Sequence, residues 1–387
     1  MALTNSLSLS KPKKAMINER LPGLDGIRAV AISMVIFFHY FTGPIYATPG
    51  GFIEPGSVWA YLERFSELFW SGVDLFFVLS GFLITRNLLN NIEATNLFKT
   101  FYIRRSLRIF PAYFLFIGAY WLFVYYGCSG ECDLEFLPPL WPYVLYVQNF
   151  YHWISGIAPP TSLGALWSLA VEEQFYIFLP FLLLIVQRKY SQYLFVVALC
   201  LSLSLRFLVT DYNPSVTFFR LDGLAFGGLL ACYSTRFGFP KIANTTLLVV
   251  LTVFLIGFFY ITWKDPTLEE TSYAYCLFGA IGVVLILVAV THKDRFFGRI
   301  LDCAPMAWVG KRSYFIYLWH MFVVSFLHRI IDGPSISLVS IKDVYITAMA
   351  LAITLLLAEL SWKFVEHPLI QFGHHFTYAK HSKNLNS

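Results

Sequence analysis

Charged residues are scarce in this sequence: 13% of its 387 residues are Asp, Glu, Lys or Arg, whereas soluble domains carry about 25%. Hydrophobic residues make up 57% of the chain, and the mean hydropathy is +0.63. This composition excludes an ordinary soluble domain and predicts an all-α polytopic membrane protein embedded in a lipid bilayer. The net charge of +5 is no evidence for a nucleic-acid partner, and none is expected.

Cysteine is also rare, and the six that are present lack the spacing of a metal site, so no metal is predicted. Four of them lie in or beside apolar runs, where they are expected to be inert packing residues. Cys128 and Cys132, in GCSGEC, are predicted to lie outside the cytoplasm, where a disulfide between them can survive. A loop staple is a better interpretation of this pair than redox or metal chemistry.

About ten apolar runs are long enough to cross a bilayer core of about 30 Å. No cleavable signal peptide is predicted ahead of them, because residues 1–20 are polar and basic and no small-residue cleavage site follows. The predicted spans are 27–44, 72–91, 110–127, 166–187, 191–209, 219–235, 245–263, 271–291, 313–331 and 342–365.

Lys and Arg are distributed unevenly between the connections that join these spans. Of the 28 such residues, 21 lie in connections on the side of the N-terminus and four lie on the other side. The long connection 128–165 has none. Cytoplasmic connections of membrane proteins are enriched in Lys and Arg, so both termini are predicted to be cytoplasmic.

The first span carries ionisable residues at its start and in its interior. Asp25 and Arg28 begin the helix, and His39 lies within it, eleven residues after Arg28. That separation places Arg28 and His39 on nearly the same helix face, about 16 Å apart along the axis. An ionisable residue at membrane depth is costly and is read by default as functional. The alternative is a histidine held by packing against a neighbouring helix.

A second cluster of charge precedes the third span, in FYIRRSLRIF. Arg104 and Arg108 are four residues apart, and Arg105 and Arg108 are three apart, so each pair can share a helix face. Such a cluster at a cytoplasmic boundary suits phosphate, which guanidinium groups bind in a bidentate manner. The enrichment of cytoplasmic connections in Arg explains the same residues without a ligand.

Two acidic residues, Glu172 and Glu173, lie near the start of the fourth span, about 9 Å inside its outer boundary. His39 is expected at a similar depth. Adjacent helical residues point about 100° apart, so one carboxylate is expected to face the interior and the other a neighbour or headgroups. A carboxylate beside an imidazole orients the ring, whereas a structural ion pair between helices is the competing interpretation.

Two later spans also begin with polar residues. Arg220 and Asp222, in FRLDG, are predicted to pair with each other near the outer surface. Ser313, Tyr317 and His320 recur at helical spacing in the ninth span. This stripe is either a ladder of hydrogen bonds between helices or the lining of a tunnel.

Taken together and in this order, these stretches resemble the integral-membrane acyltransferase-3 family over about residues 20–370. The resemblance implies a transmembrane acyltransferase domain at 21–370. The flanking segments 1–20 and 371–387 are predicted from the Lys and Arg distribution to be cytoplasmic tails, and the polar residues 372–387 are predicted to be disordered. The motifs that carry it are LDGIRA with FFH, GVDLFFVLSGFLIT, FYIRRSLRIFPAY, LWSLAVEEQFY, RLDGLAFG, GKRSYFIYLWH and EHP.

The resemblance implies an enzyme, an O-acyltransferase of the bacterial cytoplasmic (inner) membrane. Its donor substrate would be cytosolic acetyl-CoA or another acyl-CoA, with no permanently bound cofactor. Its acceptor would be a hydroxyl of an extracytoplasmic glycan or lipid-linked saccharide, such as lipopolysaccharide O-antigen or exopolysaccharide; a lipo-oligosaccharide or a small-molecule metabolite is the alternative. Some members carry an extracytoplasmic hydrolase-like domain, which is not recognised here, so a separate extracytoplasmic partner is considered.

The resemblance also implies roles for single residues. His39 corresponds to a near-invariant histidine and is the expected general base, with Glu172 as the residue that orients it. An acyl-enzyme route through His39 or a tyrosine is left open. Arg105 and Arg108 correspond to a pair linked to acyl-CoA use, and Arg28 is placed with them. The remaining residues expected along the substrate tunnel are Asp25, Trp167, Ser168, Tyr314, Tyr317 and His320.

A secondary transporter, or a flippase of a lipid-linked sugar, is the alternative from another class of protein. Such a protein also places His, Glu and Arg near the middle of the membrane. The inverted repeats and paired helix breaks typical of transporters are not evident in this sequence. Binding of acetyl-CoA would separate the two hypotheses.

Overall fold

The computed structural model describes residues 21–46, 61, 65–127, 138–209, 212–263, 268–331 and 341–379. These residues form helices and their connections, with no strand among them. In hydrocarbon each backbone N–H and C=O group must be satisfied within the protein, and a helix does this within one segment. Cys128 and Cys132 lie outside the described residues.

Ten long helices make up the bundle, and we number them α1 to α10. Nine helices of the described chain are long and apolar enough to cross a membrane; the remaining long helix, α6, has 17 residues. Their bounds are Leu24–Tyr46, Gly72–Asn91, Leu97–Gly127, Trp167–Val186, Ser191–Leu208, Leu221–Phe237, Asn244–Thr262, Leu268–Thr291, Ala304–Ile331 and Ile341–Ser361. The predicted all-α polytopic class is confirmed.

Contacts between connections show that successive helices alternate in direction. We call the side where α1 begins the proximal side and the other the distal side. On the proximal side, the Gly23 amide donates to Asp302 before α9, at 3.0 Å. On the distal side, Tyr212 before α6 hydrogen-bonds Ser272 near the start of α8, at 3.3 Å.

Helix α2 lies at the centre of the bundle and packs most closely on α6. In the most apolar stretch of this span, 72% of the residues are buried, compared with 11% for the peripheral helix α7. Glycines make the close contact possible, because a Cβ at Gly81 would overlap the Leu224 carbonyl and a Cβ at Gly227 would overlap the Val78 carbonyl. Small residues allow membrane helices to approach in this way.

The described part of the connection before α4, residues 138–166, is partly buried against the bundle. It contains three short helices, Trp141–Val144, Gln148–Ser155 and Thr161–Gly164. Tyr143 and Gln148 are buried within it. The Tyr113 hydroxyl of α3 donates to the Tyr143 carbonyl at 2.9 Å, so this segment is fastened to the distal part of the bundle.

The described part of the C-terminal segment, residues 371–379, packs on the bundle, which corrects the expectation of disorder from residue 372. Helix α10 passes through a wide π-helical turn, Trp362–Glu366, into the helix His367–His374. The chain then packs on the start of α3, where Arg104 Nε donates to the Phe376 carbonyl at 2.8 Å.

The α2–α6 contact predicts that replacing glycine by alanine has opposite effects on stability at Gly227 and at Gly118. Gly227→Ala places a methyl group against the Val78 carbonyl and should lower the melting temperature in detergent, since overpacking typically costs about 1–3 kcal/mol. Gly118→Ala is the control, because Gly118 is exposed, the added methyl group would have no neighbour within 4 Å, and alanine favours a helix. Equal melting temperatures for the two variants would contradict the packing described.

Candidate functional site

A cavity of about 100 Å³ opens where the proximal halves of α1, α3 and α9 face α2 and α4. Three arginines from two helices and two glutamates from a third border it. The polar and charged lining residues are Arg28, Ser80, Arg105, Arg108, Ser168, Glu172, Glu173, Tyr176, Ser313, Tyr314 and Tyr317. We call it the proximal cavity.

Two of its arginines retain unused hydrogen-bond donors. Arg28 Nη1 pairs with Asp25 at 2.7 Å. Arg105 instead lies over the Tyr176 ring, 5.2 Å from its centroid. Neither Arg105 nor Arg108 forms a hydrogen bond or an ion pair with any residue that the structure describes. Guanidinium groups with free N–H donors in a cavity form a site for an anion such as phosphate.

The two glutamates both face this cavity, whereas the sequence predicted that only one would point inward. Tyr176 donates to Glu172 Oε2 at 3.2 Å and shares a hydrogen bond of 2.5 Å with Ser80. Glu173 is 8% exposed. One helical turn separates Glu172 from Tyr176, so α4 itself brings this pair together.

A second cavity, of about 210 Å³, lies toward the distal side, and we call it the distal cavity. Aromatic rings form much of its wall, and His39 and Arg220 are its ionisable groups. The lining residues are Val35, Phe38, His39, Phe69, Trp70, Val73, Gly164, Ala165, Trp167, Pro214, Ser215, Arg220, Tyr275 and Tyr317.

His39 is paired with a second histidine, contrary to the prediction that Glu172 orients it. His39 Nδ1 lies 3.1 Å from His320 Nε2. His320 is fully buried in α9, while the His39 ring is partly exposed at the cavity wall. The prediction failed because equal depth in the membrane does not specify which helix faces which.

Tyr317 and Val73 border both cavities. The Tyr317 hydroxyl lies 2.6 Å from the Ser168 hydroxyl and 2.8 Å from the Ala165 carbonyl, to which it donates. These contacts join α9 to the start of α4. The side chains of Tyr317 and Val73 therefore form a shared wall between a proximal anion site and a distal histidine.

Buried ion pairs hold the distal ends of α2, α5 and α6, and they differ from the predicted pairing of Arg220 with Asp222. Arg220 pairs instead with Asp74 of α2, and Asp222 pairs with Arg206 of α5 at 3.0 Å. Arg220 also lies over the Tyr275 ring, 4.0 Å from its centroid. Removing one partner of a buried pair is strongly destabilising because the other charge remains.

The structure brings most of the predicted site residues to the two cavities. The residues that the sequence placed in a tunnel divide between them: Ser168 and Tyr314 at the proximal cavity, Trp167 at the distal one and Tyr317 at both. Asp25 instead pairs with Arg28, and His320 supports His39. Ser80, Tyr176 and Tyr275 were missed, since hydroxyl groups on apolar helices give only a weak signal.

Comparison with known proteins places the chain in a family. The profile of an acyltransferase domain, Acyl_transf_3, matches residues 21–361. The chain therefore belongs to this acyltransferase family, and it is a multi-pass membrane protein. No solved structure matches it significantly.

Curated relatives of the chain carry names of O-acetyltransferases. Peptidoglycan O-acetyltransferase OatA of Listeria monocytogenes is 27% identical over 95% of this chain and 58% of its own length. A protein of Staphylococcus aureus (strain COL), named as a putative O-acetyltransferase, is 30% identical over 91% of this chain and 58% of its own. The chain thus matches somewhat more than half the length of these relatives.

The buried pair of Asp74 and Arg220 predicts a stability effect with a compensating partner. Asp74→Asn leaves the Arg220 charge without its counter-ion and should destabilise the protein by about 3–5 kcal/mol. Adding Arg220→Gln should restore part of the loss, because the buried charge is then gone. Melting temperatures in detergent of the two single variants and the double variant test this. A single variant as stable as the unmodified protein would contradict the pairing.

Proposed function

We propose that this chain is a membrane O-acyltransferase that moves an acetyl or other short acyl group from cytosolic acyl-CoA to a hydroxyl of an extracytoplasmic glycan. The observation that carries the proposal is the pair of cavities on opposite sides of one wall. One contains arginines with free donors, and the other contains a histidine among aromatic rings.

The proximal cavity is the proposed donor site. The phosphates of acyl-CoA would bind Arg105 and Arg108, whose N–H donors are unused. The proximal connections carry most of the Lys and Arg of the chain, which supports a cytoplasmic location for this side. The pantetheine arm would then extend along Ser80 and Tyr317 toward the shared wall.

The distal cavity is the proposed acceptor site. Flat aromatic surfaces such as Trp167 and Tyr275, together with a few polar groups, suit binding sites that must hold and orient a small ring. The name of OatA refers to peptidoglycan, which supports a glycan as the acceptor class. The bacterial cytoplasmic membrane is the proposed location, and a separate extracytoplasmic partner is proposed beside it.

His39 is the proposed general base. It would take the proton of the acceptor hydroxyl while the hydroxyl oxygen attacks the thioester carbonyl. A carbon–oxygen ester bond forms, the carbon–sulfur bond breaks, and the CoA thiolate takes up the proton. A positioned base typically contributes about 10²–10⁴-fold to the rate. Glu172 lines the proximal cavity beside Tyr176. We therefore propose that Glu172 acts at the donor site.

The donor site predicts a contrast between neighbouring arginines of α3. Arg105→Ala and Arg108→Ala should each weaken acetyl-CoA binding about tenfold or more, because a hydrogen bond to a charged group contributes about 1.5–3 kcal/mol. Arg104→Ala is the matched control, since Arg104 binds the Phe376 carbonyl and does not line the cavity. Binding of radiolabelled acetyl-CoA to purified protein is the measurement. Equal affinity in all three variants would contradict the donor site.

The proposed base predicts that binding and turnover separate. His39→Ala should keep acetyl-CoA affinity but lose acceptor-dependent release of CoA, by about 10²-fold or more. The measurement is the rate at which free CoA thiol is released, with and without a glycan acceptor. Unchanged turnover in the variant would show that His39 is not the base. A transporter or flippase would bind no acetyl-CoA in either form.

A further inference from the structure

His320 has no access to substrate, yet it contacts His39, which lines the distal cavity. Its exposed fraction is 0%, whereas His39 is partly exposed at the distal cavity. The two rings approach through His320 Nε2 and His39 Nδ1, at 3.1 Å. Any effect of His320 on a reaction in that cavity must therefore pass through His39.

The backbone of α9 determines which nitrogen of His320 carries a proton. His320 Nδ1 lies 3.1 Å from the Ile316 carbonyl and 2.8 Å from the Tyr317 carbonyl. A carbonyl only accepts, so Nδ1 must be the N–H donor. The three hydrogen-bond partners of this ring among the described residues include no carboxylate, and full burial without one favours the neutral ring.

A neutral imidazole has one N–H donor and one acceptor nitrogen. With Nδ1 of His320 protonated, its Nε2 is an acceptor, and the contact at 3.1 Å then requires a proton on His39 Nδ1. This contact leaves His39 Nε2 with the free lone pair.

We propose that His320 is a positioning residue that fixes the tautomer of His39, so that His39 Nε2 is the nitrogen that accepts the proton of the acceptor hydroxyl. The hydrogen bond that one ring nitrogen makes determines the protonation of the other. This inference rests on the proposed function, in which His39 is the general base. During transfer, the lone pair of His320 Nε2 would continue to accept the hydrogen bond from His39 Nδ1–H. This would stabilise the imidazolium of His39.

Three substitutions of His320 separate this role from simple packing. Gln ends in an oxygen near the position of Nε2 and can still accept from His39, Asn ends near Nδ1 and falls short, and Phe fills the space without an acceptor. We expect His320→Phe and His320→Asn to lower kcat by about tenfold or more, up to the loss expected for His39→Ala. The KM for acetyl-CoA should be unchanged, and His320→Gln should recover much of kcat.

The control is Tyr40→Phe. Tyr40 donates to the backbone carbonyl of His320 at 3.2 Å, so this variant removes a neighbouring α1–α9 hydrogen bond and leaves both imidazoles intact. It should retain kcat. Equal losses in the Gln, Asn and Phe variants, or full activity in all three, would overturn the proposal.

A spectroscopic measurement is independent of turnover. The ¹⁵N shifts of labelled histidine in the membrane-embedded protein, assigned by comparison with His39→Ala, should show His39 protonated at Nδ1 and not at Nε2. His320→Phe should convert this signal to a mixture of tautomers. A His39 signal with a protonated Nε2 in the unmodified protein would overturn the inference. Full activity in His39→Ala would instead refute the proposed general base, whatever the tautomer is.

Discussion

A polar group within the hydrocarbon of a membrane must find its partner inside the protein, because no water is available to it. The distal ends of the helices in this bundle follow that constraint closely. Arg220 is neutralised by Asp74 and Arg206 by Asp222, on three different helices. These pairs hold α2, α5 and α6 together.

Several polar groups without such a partner border the two cavities. Arg105 and Arg108 lie at the proximal cavity without a hydrogen-bonding partner among the described residues, and His39 borders the distal cavity with its second ring nitrogen available. A protein that binds a charged donor from one side and an acceptor from the other needs such uncompensated groups on both sides. The wall formed by Tyr317 and Val73 is where the two substrates would meet.

Much of this arrangement could be predicted from the sequence, because hydropathy and the distribution of Lys and Arg depend on local composition. The spans, their alternation and the cluster of Arg105 and Arg108 belong to this group. The partners of buried groups could not be predicted. Arg220 and Asp222 are near neighbours in sequence but pair with different helices, and the spacing along α1 gives no indication that His39 faces His320. Pairing between helices depends on packing, notably the close approach of α2 and α6 through Gly81 and Gly227.

The central claim is that an acyl group crosses from one side of the bundle to the other. The direct measurement uses sealed proteoliposomes in which the protein has one orientation, with a soluble glycan acceptor inside and acetyl-labelled acetyl-CoA outside. If the account is correct, label appears on the enclosed glycan when the donor contacts the proximal side, and none appears when the orientation is reversed. An enclosed glycan that stays unlabelled in both orientations, while glycan added outside with the donor becomes labelled, would contradict it.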